Sequence, residues 1–385
     1  MGSAERSPPP PSFKGGGLIE GVVIKLSLKT QNKKIRVLIV DDSAGMRMML
    51  ERIFSDDPDL EVAGTAGNGR EALEAVQRLS PDVITMDIQM PLMDGLEATR
   101  RIMETRPTPI VILSGNLDAE EIASSFSAME AGALVALPKP GGFALPEHDA
   151  DVANLVVKVK LMAEVKVVRR WPRASRDESQ PVWQAAALPA PGSCRVVAIG
   201  ASTGGTVVIN TILSGLPQEF PLPVLIVQHM SPGFIQGFAD WLNISSRLPV
   251  HVASQDEQML PGHVYIAPDG FQMLAERGDR IALLRSAPEN GQCPSVSALF
   301  RSVASVYGGH AVGILLTGMG SDGARELKLM RDMGAVTIAQ DRESSVIFGM
   351  PGEAVNLDAA GYILPPDRIV GHLVSITRER KGNVI

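Results

Sequence analysis

The stretch IRVLIV (35–40), followed directly by Asp41 and Asp42, decides the fold of the first half of the chain. It is a short run rich in β-branched residues, which is typical of a strand buried on both faces of a parallel sheet. Four more strand-like runs follow, separated by helical segments: EVAGTA (61–66), DVITMD (82–87), PIVILS (109–114) and ALVAL (133–137). This alternation predicts an α/β domain whose parallel strands are joined by right-handed crossovers.

A second alternating pattern begins at RVVAIG (195–200) and continues to the end of the chain. It predicts strands at PVLIVQ (223–228), VHVA (250–253), HVYIAP (263–268), VGILLTG (312–318) and AVTIAQ (335–340). RGDR (277–280) lies between two alternating runs and predicts an antiparallel hairpin. The second half is therefore expected to be a mostly parallel, doubly wound α/β domain with an inserted antiparallel hairpin.

The length of 385 residues favours two domains, and the prolines and glycines place the boundaries. We expect a disordered leader over residues 1–34, because this segment is rich in proline and glycine. The first domain is expected over 35–170, closed by a helix from about Asp151 to Arg170. A proline-rich linker over 171–193 then leads to the second domain over 194–385.

The composition excludes several classes of protein. A net charge of −7 gives no basic surface for nucleic acid. The only two cysteines, Cys194 and Cys293, are far apart and predict neither a disulfide framework nor a zinc site. The sequence has neither a signal peptide nor an apolar run near the ~20 residues that span a bilayer. We expect a cytoplasmic protein that binds no nucleic acid and is not embedded in a membrane.

Polar side chains end or follow four strands of the first half. Asp41 and Asp42 follow the first strand, Asp87 ends the third, Ser114 ends the fourth and Lys139 follows the fifth. These groups should meet at one edge of the sheet. Clustered carboxylates repel one another until a cation such as Mg²⁺ takes their oxygens, and a carboxylate can attack phosphorus to give an aspartyl phosphate. Alternatively, the first two acids only cap the helix that follows.

The motifs TMDIQMPLMDG (85–95) and LPKPGG (137–142) favour the phosphorylation site. With them, residues 35–139 resemble a two-component response-regulator receiver domain, which has a flavodoxin-like (βα)5 fold. The resemblance implies a sensor histidine kinase as phosphodonor. It also implies these roles: Asp87 as phosphoacceptor, Asp41, Asp42 and Asp87 as Mg²⁺ ligands, Ser114 as switch hydroxyl and Lys139 as partner of the phosphoryl group.

One position departs from the receiver pattern. Receivers usually carry an aromatic switch residue three positions before the lysine, and Ala136 stands there in this chain. The chemistry of phosphorylation does not need that aromatic ring. The coupled rotation of the ring, however, cannot operate here.

In the second half, AIGASTGG (198–205) places glycines on both sides of Ser202 directly after a strand. Such a turn can expose the serine hydroxyl near a helix N-terminus. Two other interpretations compete with a nucleophile. One is a phosphate-binding turn for a nucleotide, although GxGxxG needs a glycine where Ser202 stands. The other is a glycine-rich turn without chemistry.

A serine nucleophile needs a base and an orienting acid. Of the six histidines, only His229 combines a strand-end position with proximity to the strand that leads to Ser202. Asp322 lies just past the strand at 312–318, where its alternative role is a helix N-cap. Backbone N–H groups around Gly318–Gly320 are candidate oxyanion donors. The order Ser, His, Asp differs from that of α/β-hydrolases, so this is a different fold with convergent chemistry.

From Arg195 onwards the second half resembles the catalytic domain of the CheB family of chemotaxis protein-glutamate methylesterases. The motifs are GASTGG (200–205), QHMSPGF (228–234), PGHVYIAP (261–268), PSVSALFRSVA (294–304), TGMGSDGA (317–324) and TIAQDRESSVIFGMP (337–351). The resemblance implies these roles: Ser202 as nucleophile, His229 as general base, Asp322 as orienting acid and the Met319 backbone N–H as oxyanion donor. No cofactor is expected in this domain. Cys293 and Thr206 stand where the family commonly has arginine and proline.

By this resemblance the protein hydrolyses glutamyl methyl esters on methyl-accepting chemoreceptors and deamidates receptor glutamines through an acyl-enzyme. In the resting state the receiver is expected to cover the catalytic site until Asp87 is phosphorylated. Three alternatives remain: a catalytically silent adaptor that acts as a phosphate sink, a receiver-controlled nucleotide-binding protein, and a methylesterase of a chemosensory pathway unrelated to motility.

Overall fold

The computed structural model describes residues 33–115, 119–141, 148–167 and 194–378. The leader predicted over 1–34 lies outside these residues except for its last two positions. The linker predicted over 171–193 lies outside them entirely. The two halves of the fold are therefore described from 33–167 and from 194–378.

The N-terminal half is a five-stranded parallel sheet in the order β2-β1-β3-β4-β5, which confirms the predicted (βα)5 pattern. Its elements are β1 (Ile35–Val40), α1 (Ala44–Asp56), β2 (Leu60–Ala66), α2 (Gly69–Leu79), β3 (Val83–Asp87), α3 (Gly95–Thr105), β4 (Ile110–Ser114), α4 (Ala119–Ala131), β5 (Val135–Pro138) and α5 (His148–Ala163). The central strands β3 and β4 are buried throughout, as the continuous apolar runs in the sequence predict.

The C-terminal half is a seven-stranded parallel sheet, β15-β14-β13-β6-β7-β10-β8, with a separate antiparallel sheet, β11-β12-β9. Its strands are β6 (Val196–Ala201), β7 (Val224–Gln228), β8 (Val250–Val252), β9 (Glu257–Gln258), β10 (Val264–Ile266), β11 (Gln272–Glu276), β12 (Arg280–Leu284), β13 (Ala311–Leu315), β14 (Val336–Gln340) and β15 (Tyr362–Leu364). Its helices are α6 (Gly205–Gly215), α7 (Ile235–Ser245), α8 (Val296–Tyr307), α9 (Ala324–Asp332), α10 (Met350–Asn356) and α11 (Pro366–Arg378). The predicted doubly wound sheet and hairpin are confirmed.

The order of this sheet explains where a site can form. The chain enters at β6 in the middle, continues to β7 on one side and returns later to β13 on the other. This reversal of direction opens a crevice at the carboxyl ends of the neighbouring strands, where ligands bind in doubly wound sheets. Ser202 follows β6 directly and therefore lies at the mouth of the crevice.

The two halves share part of their hydrophobic core through α4, α6 and α7. The Phe126 ring on α4 stacks on Trp241 of α7 with ring centroids 5.3 Å apart, and it lies 5.4 Å from the Phe238 ring. Ile122 packs so closely on Gly237 that a side chain there would collide with it. Because aromatic pairs of this kind bury large apolar areas, they fix the N-terminal half against the C-terminal half.

Three details differ from the sequence prediction. The last helix of the N-terminal half, α5, ends at Ala163 and not near Arg170, because Glu164 and Val165 donate to carbonyls three residues back. The two-residue strand β9 and the short helix α10 were not predicted. Among the described helices, none is long and apolar enough to cross a bilayer.

Candidate active site and phosphorylation site

Ser202 lies in a tight turn between β6 and α6. Its backbone N–H donates to Thr317 O at 3.0 Å, and its carbonyl accepts from Gln228 Nε2 at 2.9 Å. The turn needs glycine at two positions: Gly204 has a φ of 79°, and a side chain at Gly205 would collide with the Gln228 amide. The predicted strand–turn–helix around Ser202 is therefore present.

His229 is brought to the same place by the next strand. Its backbone N–H donates to Ala201 O at 2.9 Å, one residue before Ser202. The imidazole and Ser202 line one cavity of about 250 Å³. Within the described ranges no hydrogen bond joins the two side chains. His229 Nε2 lies 2.9 Å from Asp322 Oδ2, which leaves Nδ1 as the ring nitrogen available to the serine.

The Asp322 carboxylate is buried and accepts five hydrogen bonds. The donors are His229 Nε2, Asn290 Nδ2, Ser295 Oγ, Val296 N and Ser297 N, at 2.7–3.1 Å. Burial alone would raise the pKa of this carboxyl group, but the hydrogen bonds, that from His229 foremost, hold it well below its usual range. Asp322 is therefore a fixed anion facing His229.

Asp322 does contact a helix N-terminus, but it is that of α8 and not that of α9, the helix that follows it in sequence. The N-cap of α9 is Gly323, so Asp322 does not cap the helix that follows it. Its oxygens instead accept the N–H groups of Val296 and Ser297 at the start of α8. Because a helix N-terminus favours negative charge, this contact stabilises the same anion that faces His229.

Gly318 and Met319 pass beside the serine. A Cβ on Gly318 would lie 2.7 Å from Ser202 Cβ, so this approach requires glycine. Gly318 itself is held by hydrogen bonds to Ile347 and Met350, whereas the Met319 N–H makes no hydrogen bond among the described residues. Met319 directly follows the residue that packs against Ser202, although Met319 is not part of the cavity wall.

The residues predicted to form the phosphorylation site meet at the carboxyl edge of the N-terminal sheet. Asp41 and Asp87 are buried, and Lys139 Nζ lies 2.8 Å from an oxygen of each. Burial, and to a smaller extent Asp41, raises the pKa of Asp87 to about 6 against the opposing effect of Lys139. Oxygens of Asp41, Asp42 and Asp87 lie within 4.8 Å of one another, a donor set that suits a divalent cation such as Mg²⁺.

Ser114, the predicted switch hydroxyl, is bound to a residue that the sequence did not single out. Its Oγ donates to Oε1 of Glu121 on α4 at 2.8 Å, and Gly115 N donates to the same oxygen at 2.6 Å. Both Ser114 and Glu121 are buried. The Ser114 hydroxyl is therefore bound to the start of α4, the helix that packs on α7.

The cavity at Ser202 is walled by both halves of the protein. Phe126 and Met129 of α4, Ala136 of β5 and Lys158 of α5 contribute from the N-terminal half. Ala136 thus faces the cavity directly, so the position without an aromatic ring opens towards the nucleophile. In this arrangement the N-terminal half covers Ser202.

The two departures from the family motifs lie in different places. Thr206 is buried, and its Oγ1 donates to Met129 Sδ at 3.6 Å, so this position contacts the N-terminal half. Cys293 is half-buried beside Ser295, which donates to Asp322. Asn290 and Ser295 were missed as members of the site, although the Asn-Gly pair and the PSVSALF motif mark their positions.

Comparisons with known proteins identify the family of each half of the chain. Residues 197–373 match the family described as CheB methylesterase, and residues 37–145 match the response regulator receiver domain. Protein-glutamate methylesterase/protein-glutamine glutaminase 4 of Geobacter metallireducens is 60% identical over 90% of this chain and 100% of its own. Protein-glutamate methylesterase/protein-glutamine glutaminase of Nitrosospira multiformis is 52% identical over 90% of this chain and 98% of its own. The crystal structure of the Thermotoga maritima CheB methylesterase catalytic domain is 35% identical, covers 48% of this chain and 99% of that one, and has a TM-score of 0.47.

Proposed function

Because this chain belongs to the CheB methylesterase family, we propose that it hydrolyses glutamyl methyl esters on methyl-accepting receptors and deamidates receptor glutamines. The observation that carries the proposal is the bond between His229 and Asp322 beside a cavity that His229 shares with Ser202. The printed names of the relatives support both reactions. One acyl-enzyme serves both, since only the leaving group differs.

In the proposed reaction, Ser202 Oγ attacks the ester carbonyl carbon while His229 Nδ1 accepts the hydroxyl proton. The carbonyl electron pair moves onto its oxygen, which we assign to the Met319 N–H. When that pair returns, the bond to the methoxy oxygen breaks, and His229 delivers its proton so that methanol leaves. Water then attacks the glutamyl-Ser202 ester with the same help and releases glutamate. With a glutamine substrate the first leaving group is ammonia.

The proposed regulation of the esterase depends on the receiver, which covers Ser202 in this structure. A receptor segment cannot reach the nucleophile while α4, β5 and α5 of the receiver wall the cavity. We assign this arrangement to the unphosphorylated protein. Phosphorylation then favours an arrangement in which the receiver has moved away, because a modification shifts an equilibrium only through a difference between its two states.

The phosphoryl group is assigned to Asp87. Its carboxylate oxygen attacks phosphorus, the bond between phosphorus and the phosphodonor breaks, and the donor leaves with the electron pair of that bond. The Lys139 ammonium pairs with the phosphoryl charge that arrives. Asp41, Asp42 and Asp87 would hold Mg²⁺, which neutralises negative charge on the phosphodonor when bound. The raised pKa of Asp87 fits this role, because an anion made costly by burial gains most from a cation.

Glu121 is the proposed link between phosphorylation and the cover. Ser114 Oγ now donates to Glu121 Oε1, and a phosphoryl group on Asp87 competes for the same hydroxyl. A buried Glu121 carboxylate that loses the Ser114 hydroxyl as donor is higher in free energy. The start of α4 is then less stable in its present position against β4. Since α4 carries Phe126 and Ile122, its contact with α7 weakens. This route needs no aromatic residue at position 136.

The wider assignments rest on the same two domains. We propose a sensor histidine kinase as phosphodonor and a methyl-accepting chemoreceptor as substrate, both met in the cytoplasm. The boundaries 35–170, 171–193 and 194–385 remain part of the proposal, supported by family matches over 37–145 and 197–373. No cofactor is assigned to the catalytic domain.

The test is methanol release from receptor membranes that carry labelled methyl esters, with and without acetyl phosphate and Mg²⁺. The wild-type chain should release methanol and do so faster with the phosphodonor. Ser202→Ala should release none yet still take phosphate on Asp87. Asp87→Asn should keep the basal rate and lose the acceleration.

The outcomes separate the alternatives. Methanol release by Ser202→Ala would defeat the assignment of the nucleophile. A wild-type chain that takes phosphate but releases no methanol at any dose of phosphodonor would favour the phosphate-sink adaptor. Because Ser202 lies outside the receiver, phosphate uptake by Ser202→Ala also controls for folding of the N-terminal half.

A further inference from the structure

A two-residue turn at residues 289–292 lies beside the catalytic acid. Glu289 and Gln292 exchange backbone hydrogen bonds of 2.9 Å in both directions. The central residues, Asn290 and Gly291, have φ values of 53° and 75°. Asn-Gly is the pair that favours such a turn, because both residues tolerate positive φ.

The turn is anchored on both sides. Arg301 Nη2 lies 2.7 and 2.6 Å from the two carboxylate oxygens of Glu289, and Gln272 Nε2 donates to Gln292 O at 3.3 Å. Gln292 also lines the cavity that holds Ser202. The turn therefore connects the rim of the cavity with the surroundings of Asp322.

Asn290 points its amide at the catalytic acid. Its Nδ2 donates to Asp322 Oδ1 at 3.0 Å and to Ser297 Oγ at 3.1 Å. Apart from His229, it is the donor to Asp322 that does not come from the start of α8. Asn290 as a residue is exposed to solvent, so the turn, and not burial of the residue, holds its amide against Asp322.

The other charged groups near the acid do not replace this contact. Glu326 accepts from Ser297 Oγ at 2.7 Å, and Arg301 pairs with Glu289 and lies 3.7 Å from Glu326. None of these makes a hydrogen bond with the carboxylate of Asp322. Asn290 thus donates to Oδ1, whereas His229 contacts the other carboxylate oxygen, Oδ2.

We propose that Asn290 is a positioning residue for ester hydrolysis, which fixes the plane of the Asp322 carboxylate so that Oδ2 meets His229. The inference rests on the proposed esterase function. A carboxylate that turns about its Cβ–Cγ bond takes the imidazole with it, and the base then no longer faces Ser202. Small misplacements of this kind reduce catalysis more than binding.

The experiment separates the amide from the turn, in the full-length chain with Mg²⁺ and acetyl phosphate. Asn290→Gly keeps a residue suited to positive φ but removes the amide. We expect kcat for methanol release to fall roughly three- to tenfold with KM unchanged, as the loss of one hydrogen bond predicts. Gly291→Asn is the matched control, because a side chain there meets open space and asparagine tolerates the φ. It should leave kcat unchanged.

A second variant provides a readout that a purely structural role would not move. Asn290→Asp keeps the size and turn preference but places a carboxylate against Asp322. The added negative charge favours the protonated imidazole, so the acid limb of kcat/KM should move to higher pH, by roughly half a unit. Asn290→Gly with unchanged kcat, or Asn290→Asp with an unmoved acid limb, would overturn the proposal. An inactive wild-type chain would instead mean that the proposed esterase function is wrong.

Discussion

Lys158 Nζ, on α5 of the receiver, lies 3.4 Å from Oγ1 of Thr203, the residue that follows the proposed nucleophile. Burial lowers the pKa of this lysine, and within the described ranges no carboxylate forms an ion pair with it. An ammonium taken out of water without an anion destabilises the state in which it is buried. Burial of Lys158 therefore destabilises the arrangement in which the receiver covers Ser202 and favours movement of the receiver away from the cavity.

Replacing Lys158 by methionine should strengthen the cover. Met fills similar space without charge, so we expect the unphosphorylated rate of methanol release to fall several-fold and more phosphodonor to be needed for half-maximal activity. Lys160→Met is the control, because Lys160 pairs with Asp57 and Asp59 away from the cavity. A higher basal rate for Lys158→Met would show that the lysine holds the cover closed.

Glu121 allows a direct test of the link between Ser114 and α4. Glu121→Ala removes the oxygen that accepts from Ser114 Oγ and Gly115 N, so the start of α4 loses its anchor. We expect a several-fold higher basal rate of methanol release and a smaller response to acetyl phosphate. Glu121→Gln keeps one acceptor oxygen and should resemble the wild type.

Phosphate uptake by Asp87 controls for folding of the Glu121 variants. If Glu121→Ala takes phosphate normally and its basal rate and response match the wild type, α4 is not held by this bond. The contacts of Phe126 and Ile122 with α7, and that of Met129 with Thr206, would then hold the receiver in place.

The fold was largely predictable because its signal is local. Buried strands such as β3 and β13 are continuous apolar runs, and each predicted catalytic or phosphorylation residue follows or ends such a run. The helix α10 was missed because it is only seven residues long and begins with Met-Pro-Gly, a composition that favours loops. The strand β9 is visible only through its pairing with β12.

The contacts between the domains could not be predicted from local pattern. The sequences of α5 and α4 do not distinguish Lys158 or Glu121 from their neighbours. Packing of α5 on the C-terminal half brings Lys158 to Thr203, and packing of α4 within the N-terminal half brings Glu121 to Ser114. The network around Asp322 is similar, since its donors come from three separate segments. The sequence offers Asp322 as an alternative N-cap of α9, whereas in the folded chain its carboxylate accepts from Val296 N at the start of α8.

A histidine pair at the edge of the catalytic domain predicts a pH dependence of stability. His251 Nε2 lies 3.0 Å from His263 Nδ1, a bond that needs at least one neutral ring. Burial, and then His251, lowers the pKa of His263, whereas an unfolded histidine titrates near 6.5. The unfolded state thus binds more protons in this range. The contribution to the free energy of unfolding is present above about pH 6.5 and is lost as the pH falls.

The measurement is the fall in melting temperature between pH 7.5 and 5.5 by calorimetry. His263→Phe keeps a ring against Tyr265 but cannot titrate, so its fall should be about 1–2 °C smaller than that of the wild type. Other titrating groups contribute equally to both proteins. If the melting temperatures of the variant and the wild type fall by the same amount, the histidine pair does not resist protonation.

Asp322→Asn should damage both activity and stability, because the carboxylate accepts hydrogen bonds at both oxygens. In either orientation of the asparagine amide, its NH₂ group faces at least two hydrogen-bond donors. Each buried donor left without an acceptor lowers the free energy of unfolding by about 1–3 kcal/mol. We expect a melting temperature lower by about 5 °C. Methanol release should fall about 10³- to 10⁴-fold, since the wrong tautomer of His229 is then favoured. Asp332→Asn, which alters only an exposed pair with Lys328, should change neither quantity. Retention of a tenth of the wild-type rate by Asp322→Asn would show that His229 is oriented by another group.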